Sequence, residues 1–452
     1  MATLSKVKIG DEPIRDISVL PKSKILLLGF QHTFAMFGAT VLVPILTGLN
    51  INTALLMAGA GTLIFHLFTK GKVPAFLGSS FAFIGGYNLV APLVNGKADS
   101  HQIALASGGV FVAGLVYLVL AGLIKAFGTR KVMRFFPPVV TGPIIIAIGL
   151  TLSPSAVGSA SKNWLLAIVA IAVVVICNIW AKGMLKIIPI IMGIGVSYIL
   201  AVLTNNVNFS AFQHIQWLAL PVEPSKFMAF DLSAILTIVP ISLATMMEHI
   251  GDISAISATT GENYIADPGL HRTLMGDGIA TSFSAIFGGP ANTTYGENTG
   301  VLVLTRVYDP KIVRIAAVIA IVLGCFPVLS TFIQTIPGAI IGGVSLILYG
   351  MISAIGVRNL VESQVDFTKS RNLIVAATIL VVSLGFKNGL TFNISSVTIT
   401  LSSIALAAIL GIVLNSILPG KDYIFTVDQP KDTGVNFSGV DTTEKGKGGE
   451  EA

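Results

Sequence analysis

From about residue 25 to residue 418 the chain is a succession of apolar runs that contain no lysine or arginine, separated by short polar connections. A helix needs roughly 20 residues to cross the ~30 Å hydrocarbon core of a bilayer, and runs of that length repeat along the whole sequence. Composition agrees: 53% of residues are hydrophobic, only 11% are charged, and mean hydropathy is +0.84. A soluble globule carries about 25% charged residues to wet its surface. The chain therefore cannot be a soluble enzyme, a disordered or fibrous protein, or a secreted disulfide scaffold. Its two cysteines, Cys177 and Cys325, sit inside apolar runs.

Measured against the bilayer, the pattern predicts fourteen spans, beginning near residues 25, 52, 76, 103, 137, 163, 184, 232, 270, 290, 312, 335, 371 and 396. The runs near 76 and 290 are poor simple helices. If the N-terminus is inside and the spans alternate, all but four of the 28 Lys and Arg fall on the inner side. The four outside are Lys97, Lys162, Lys226 and Lys387. A wrong span count would scramble this alternation, so the bias predicts fourteen crossings with both termini cytoplasmic. The net charge of +6 is then a topology signal and not a nucleic-acid footprint. Residues 1–24 read as a polar cytoplasmic segment without a signal peptide. Residues 205–231 read as an outer connection apolar enough to pack on the outer face, and residues 419–452 as a disordered cytoplasmic tail.

The sequence also hints at a repeat. Pro137 and Gly142 open the fifth span with the spacing that Pro337 and Gly342 show in the twelfth; the third and tenth spans start at Pro74 and Pro290. Each pair lies seven spans apart. An odd number of spans per repeat gives halves of opposite orientation, residues 25–204 and 232–418, as in many secondary transporters. The third and tenth runs are rich in Gly, Ser, Thr and Asn, which predicts extended backbone leading into a half-helix. Ser79 or Ser80 would cap one half-helix, with Thr293 or Thr294 near the other. Such backbone is tolerated at membrane depth only beside protein or a polar cavity.

Four acids lie within apolar sequence: Glu248, Asp252, Asp277 and Glu297. An acid at a helix centre costs about 3 kcal/mol on insertion scales, and no span offers a Lys or Arg to pair with it. Each must face a polar cavity, accept hydrogen bonds or carry a proton. Glu248 and Asp252 are four residues apart and share a helix face, with His249 about 100° away. Glu248 and Glu297 read as ligand-binding residues. Asp277, near the cytoplasmic end of its span, reads as structural.

These residues sit in longer strings: QHTFAMFGATVLVP from Gln31, VPAFLGSSFAFI from Val73, MEHIGD from Met247, DPGLHR from Asp267 and NTTYGEN from Asn292. Together they resemble the nucleobase–ascorbate transporter family, and within it the bacterial uracil permease branch, over about residues 20–418. The resemblance implies an all-α polytopic membrane protein of fourteen transmembrane segments in two inverted seven-span repeats. Spans one to four and eight to eleven would form a core, and spans five to seven and twelve to fourteen a gate, with short β-strands in spans three and ten. It implies that Glu248 and Glu297 hold the nucleobase and that backbone at Phe81 and Gly296 meets its carbonyls. Tyr349 would approach from the gate, and His32 would support the core by reaching Asn298.

The implied activity is proton-coupled uptake of uracil, with xanthine or thymine as further substrates, by an elevator-like movement in the cell membrane, and a homodimer joined through the gate. No enzyme activity, cofactor, metal or nucleic acid enters this reading; its partners are a nucleobase, a proton and membrane lipid. The chemistry fits a pyrimidinedione on its own terms: carboxylates accept from ring N–H groups, and half-helix amides donate to ring carbonyls. Relatives that take purines or ascorbate typically carry Gln where Glu297 stands. The branch pattern often has His where this chain has Asp252, and a second carboxylate beside Glu248 suggests a proton shared between the two. A purine permease of the same family and an uncoupled facilitator are the alternatives. A sulfate-type anion site would avoid two carboxylates, and an intramembrane protease would need a GxGD pattern that is absent.

Overall fold

The computed structural model describes residues 9–10, 12–94, 96–210, 212, 217–394 and 397–420. Its first half runs α1 (Lys22–Thr47), α2 (Ile51–Phe68), β1 (Leu77–Ser79), α3 (Ile84–Val90), α4 (Ser100–Phe127), α5 (Thr129–Met133), α6 (Pro138–Ala160), α7 (Trp164–Trp180), α8 (Met184–Ile187) and α9 (Pro189–Leu203). The second half runs α10 (Leu232–Ile238), α11 (Ser242–Thr260), α12 (Leu270–Ile286), β2 (Asn292–Thr294), α13 (Gly296–Thr305), α14 (Pro310–Gly324) and α15 (Pro327–Gln334). It ends with α16 (Gly338–Glu362), α17 (Ser370–Gly385), β3 (Leu390–Ile394), β4 (Val397–Leu401) and α18 (Ser403–Ile417).

Helix ends fall where the sequence supplies caps or breaks. Asn50 accepts from the Asn52 and Thr53 amides at the start of α2, and Asp99 from the His101 and Gln102 amides at the start of α4. These side-chain oxygens satisfy backbone donors that a helix start otherwise leaves free. Pro138, Pro189, Pro310 and Pro327 open their helices, where a missing N–H does no harm.

Six stretches among the described residues are long and apolar enough to cross a membrane: α1, α2, α4, α6, residues 232–260 (α10 through α11) and α16. The pair α14–α15 becomes a seventh if counted as one span bent by 77°. The apolar helices α7, α9, α17 and α18 are shorter, at 15–17 residues. The fourteen apolar runs thus do not all become long helices. Run seven is broken at Ile188–Pro189, and run fourteen, placed at 396 by hydropathy, starts as a helix only at Ser403. Ahead of it β3 and β4 form an antiparallel hairpin with Leu390 opposite Leu401. The alternating Val397-Thr-Ile-Thr-Leu401 carries the two-residue period of a strand.

Small residues set the helix packing. The α6–α16 seam closes over Gly149, where a Cβ would come within 2.2 Å of the Tyr349 carbonyl oxygen. In the α4–α12 seam, a Cβ on Gly114 would lie 2.6 Å from the Gly278 carbonyl oxygen. In lipid, where apolar burial gives no drive for helices to associate, such close backbone approach is the main source of packing energy. α2 packs on both α12 and α14, α7 on α9, and α17 on α18.

Two connections are held against the helices. The N-terminal segment is docked: Ile14 forms a parallel bridge with Val307, the Ile17 amide donates to Asp309, and Arg15 pairs with Glu262. Ile14, Ile17, Leu20 and Leu28 form a small apolar cluster with Val307 and Ile312. The outer connection is strapped down through its backbone, Ala219 to Cys325 and Ala229 to Ala104. Phe227 packs on Phe287 and Phe230 on Phe111, whereas Trp217, 72% exposed, and Leu220, 79% exposed, point away from the helices. The predicted tail lies outside the described residues from 421 on, as does the start of the N-terminal segment.

Candidate functional site

The two interrupted runs meet. β1 and β2 pair antiparallel, with Leu77 opposite Thr294, Gly78 opposite Thr293 and Ser79 opposite Asn292. The pairing satisfies extended backbone that would otherwise be stranded at depth. Tight packing holds it: Tyr295 donates its hydroxyl to the Ser79 carbonyl at 2.9 Å, and the Ser80 amide donates to the Ala291 carbonyl at 2.8 Å. The half-helices α3 and α13 follow the strands directly.

Neither half-helix is capped by a side chain; Phe83 and Tyr295 occupy the cap positions. This corrects the expected cap by Ser79 or Ser80, while Thr293 and Thr294 do lie just ahead of α13, in β2. Ser79 is used on the Thr40 carbonyl and Thr294 on Asp252. The amides at the start of α13 thus have no acceptor on the residue that caps it, and they lie at the positive end of its helix dipole.

α11 presents its acids to this junction. The Thr294 hydroxyl donates to Asp252 at 3.1 Å, and a Cβ on Gly296 would lie 3.7 Å from the other Asp252 oxygen. Asp252 is buried, and Glu248, one turn earlier, is partly covered. Glu248 Oε2 has no hydrogen-bond partner among the described residues, and neither do the buried Ser80 and Thr299 hydroxyls on the two interrupted runs. Buried polar atoms are nearly always paired, so a polar ligand reaching these groups would supply partners they lack. Glu297 lies in the first turn of α13.

Phe81 and Tyr349 stand edge to face, ring centroids 6.0 Å apart, so α16 reaches the end of β1. Away from the acids, the Asn298 amide meets the His32 carbonyl at 3.0 Å and the His32 ring at 3.2 Å, tying α13 to α1.

Asp277 requires a correction. It lies two turns into α12, fully buried, and not at a span end. His249 Nδ1 is 3.1 Å from it and 3.4 Å from the Thr294 hydroxyl. A buried polar chain therefore runs Asp252–Thr294–His249–Asp277 across three elements. A count of Lys and Arg alone misses His249 as a neighbour of Asp277. The available signal was a histidine inside the apolar MEHIGD string.

The sequence profile of the Permease family matches residues 23–391. The uracil permease of Bacillus caldolyticus is 43% identical over 425 residues, covering 91% of this chain and 96% of that protein. The uracil permease of Escherichia coli (strain K12) is 38% identical over 436 residues, covering 94% and 97%. The chain belongs to the nucleobase–ascorbate transporter family. Within it, the chain falls on the bacterial uracil permease branch. It is accordingly a multi-pass membrane permease and not an enzyme. Two solved structures share the fold of this family member. One is the murine Solute Carrier 26 family member A9 anion transporter, with a TM-score of 0.61 at 13% identity, covering 91% of this chain and 69% of that one. The other is the transmembrane domain of the cyanobacterial bicarbonate transporter BicA, with a TM-score of 0.57 at 16% identity, covering 87% and 96%.

Proposed function

We propose that this permease imports uracil across the cell membrane by proton symport. The carrying observation is the buried, unpartnered Glu248 carboxylate oxygen on α11, the helix that packs against the interrupted segment β2–α13. Glu248 and Glu297 accept from the ring N–H groups, backbone at Phe81 and Gly296 donates to the ring carbonyls, and Tyr349 closes the site from the gate. His32 and Asn298 brace α13. A dehydrated site built to fill both sets of groups rejects rings that leave one set empty. Asp252 shares the coupled proton with Glu248; in low dielectric two neighbouring carboxylates resist double ionisation.

The architecture we infer is fourteen spans in two inverted repeats, residues 25–204 and 232–418, with both termini inside. Its support is that packing pairs recur seven spans apart: α4 on α12 with α14 on α2, and α7 on α9 with α17 on α18. The core is spans one to four and eight to eleven, and the gate is spans five to seven and twelve to fourteen. The core carries nucleobase and proton past the glycine-lined α6–α16 surface in an elevator-like movement, and the gate forms the homodimer contact.

The test is radiolabelled uracil uptake in permease-deficient cells at several pH values, competed with xanthine, thymine and hypoxanthine. Concentrative uptake that a protonophore collapses is the expected result. Uptake that only equilibrates uracil would mean a facilitator, and preference for xanthine or hypoxanthine would mean a purine permease.

A further inference from the structure

Between α4 and α18, near the end of the molecule that holds α5, lies an apolar cavity of about 470 Å³, within the range of small-ligand sites, roughly 300–1,000 Å³. Leu120, Leu123 and Phe127 line one side from a single face of α4; Ile409 and Val413 of α18 line the other, and Leu243 of α11 completes it. The one polar side chain in the lining is Lys131 of α5. Lys131 is exposed and flanked by exposed Arg130 and Arg134. None of the three pairs with an acid among the described residues. A greasy cavity with an un-neutralised cationic mouth fits one kind of occupant in a membrane protein: an acyl chain carrying an anionic headgroup.

We propose that this cavity is a binding site for an anionic phospholipid of the cytoplasmic leaflet. One acyl chain lies between α4 and α18, and the phosphate rests on Lys131 with Arg130 and Arg134 beside it. The proposal rests on the inside orientation and the core–gate division given above. α4 and α11 belong to the moving core and α18 to the gate, so the lipid bridges the two bodies on the membrane side. Its occupancy tunes transport without touching the nucleobase.

The test uses the full-length purified protein exposed to vesicles of phosphatidylglycerol or of phosphatidylcholine, then transferred to detergent for native mass spectrometry of retained lipid. Wild type is expected to retain phosphatidylglycerol over phosphatidylcholine, and Lys131→Gln to lower that preference about fivefold, the value of one cation near an anionic surface. Ile409→Trp, which fills the cavity, is expected to lose the retained lipid. Because Ile409→Trp can disturb folding, Lys131→Gln at an exposed position is the primary variant, with thermal unfolding of each as control. Equal retention of both lipids by wild type, or unchanged phosphatidylglycerol retention in both folded variants, overturns the site. Retention is read without substrate and in detergent, so loss of uracil uptake in wild type would sink the transport reading and leave this result standing.

Discussion

Glu297 is where the substrate reading is most exposed to test. Glu297→Gln keeps size and one acceptor but adds a donor that faces a ring N–H, so uracil uptake should fall by about tenfold or more, the scale of one buried hydrogen bond left unmade. A shift toward purines would accompany it; wild-type uracil uptake at normal membrane levels would remove Glu297 from the site. Asp252→Asn preserves the Thr294 contact but cannot exchange a proton. It should keep uracil binding and lose accumulation driven by the proton gradient; unchanged accumulation would end the shared-proton idea. His249 tests a structural role. His249→Ala removes the ring 3.1 Å from the buried Asp277 carboxyl, whose oxygens have no hydrogen-bond partner among the described residues, and isolating such a group further costs about 2 kcal/mol. The variant should melt earlier in detergent, and Asp277→Leu added to it should recover part of the loss.

Among elements, the α6–α16 contact depends on the absence of side chains. A Cβ at Gly149 would meet the Tyr349 carbonyl at 2.2 Å and Ser353 Oγ at 2.3 Å, whereas one at Gly158 on the same helix meets nothing within 4 Å. Gly149→Leu should therefore destabilise the protein by about 2 kcal/mol, within the usual range for overpacking, while Gly158→Leu leaves size-exclusion behaviour and melting temperature unchanged. The interrupted elements were legible from composition: Gly, Ser and Asn in the runs from Pro74 and Pro290 mark backbone that is not simple helix. The hairpin of β3 and β4 is hidden from hydropathy, because its Val, Ile and Leu score as well in a membrane span as in a strand, and only the alternation with Thr from Val397 to Leu401 separates them. The docked N-terminal segment left a faint trace in Ile14, Ile17 and Leu20 at three-residue spacing.

For the whole molecule, orientation is the property the other proposals lean on. With Cys177 and Cys325 replaced, a cysteine at Lys97 should react with a membrane-impermeant maleimide on intact cells, and one at Lys131 only after permeabilisation; the reverse pattern would invert the topology. Both positions are exposed. The distribution of 28 Lys and Arg carries this signal because insertion retains positive charge on the cytoplasmic side, a rule that acts on the chain before any helix packs.

By itself the sequence determined the solvent, the family and the acids that lipid would not tolerate without a reason, since burial of apolar length and exclusion of charge are local properties that add up along a chain. Only the tertiary structure decided which groups those acids meet. Antiparallel pairing of β1 with β2, Thr294 on Asp252, His249 on Asp277 and Arg15 on Glu262 join residues tens to hundreds of positions apart. Such contacts depend on distance and direction in three dimensions, which neither spacing nor hydropathy encodes.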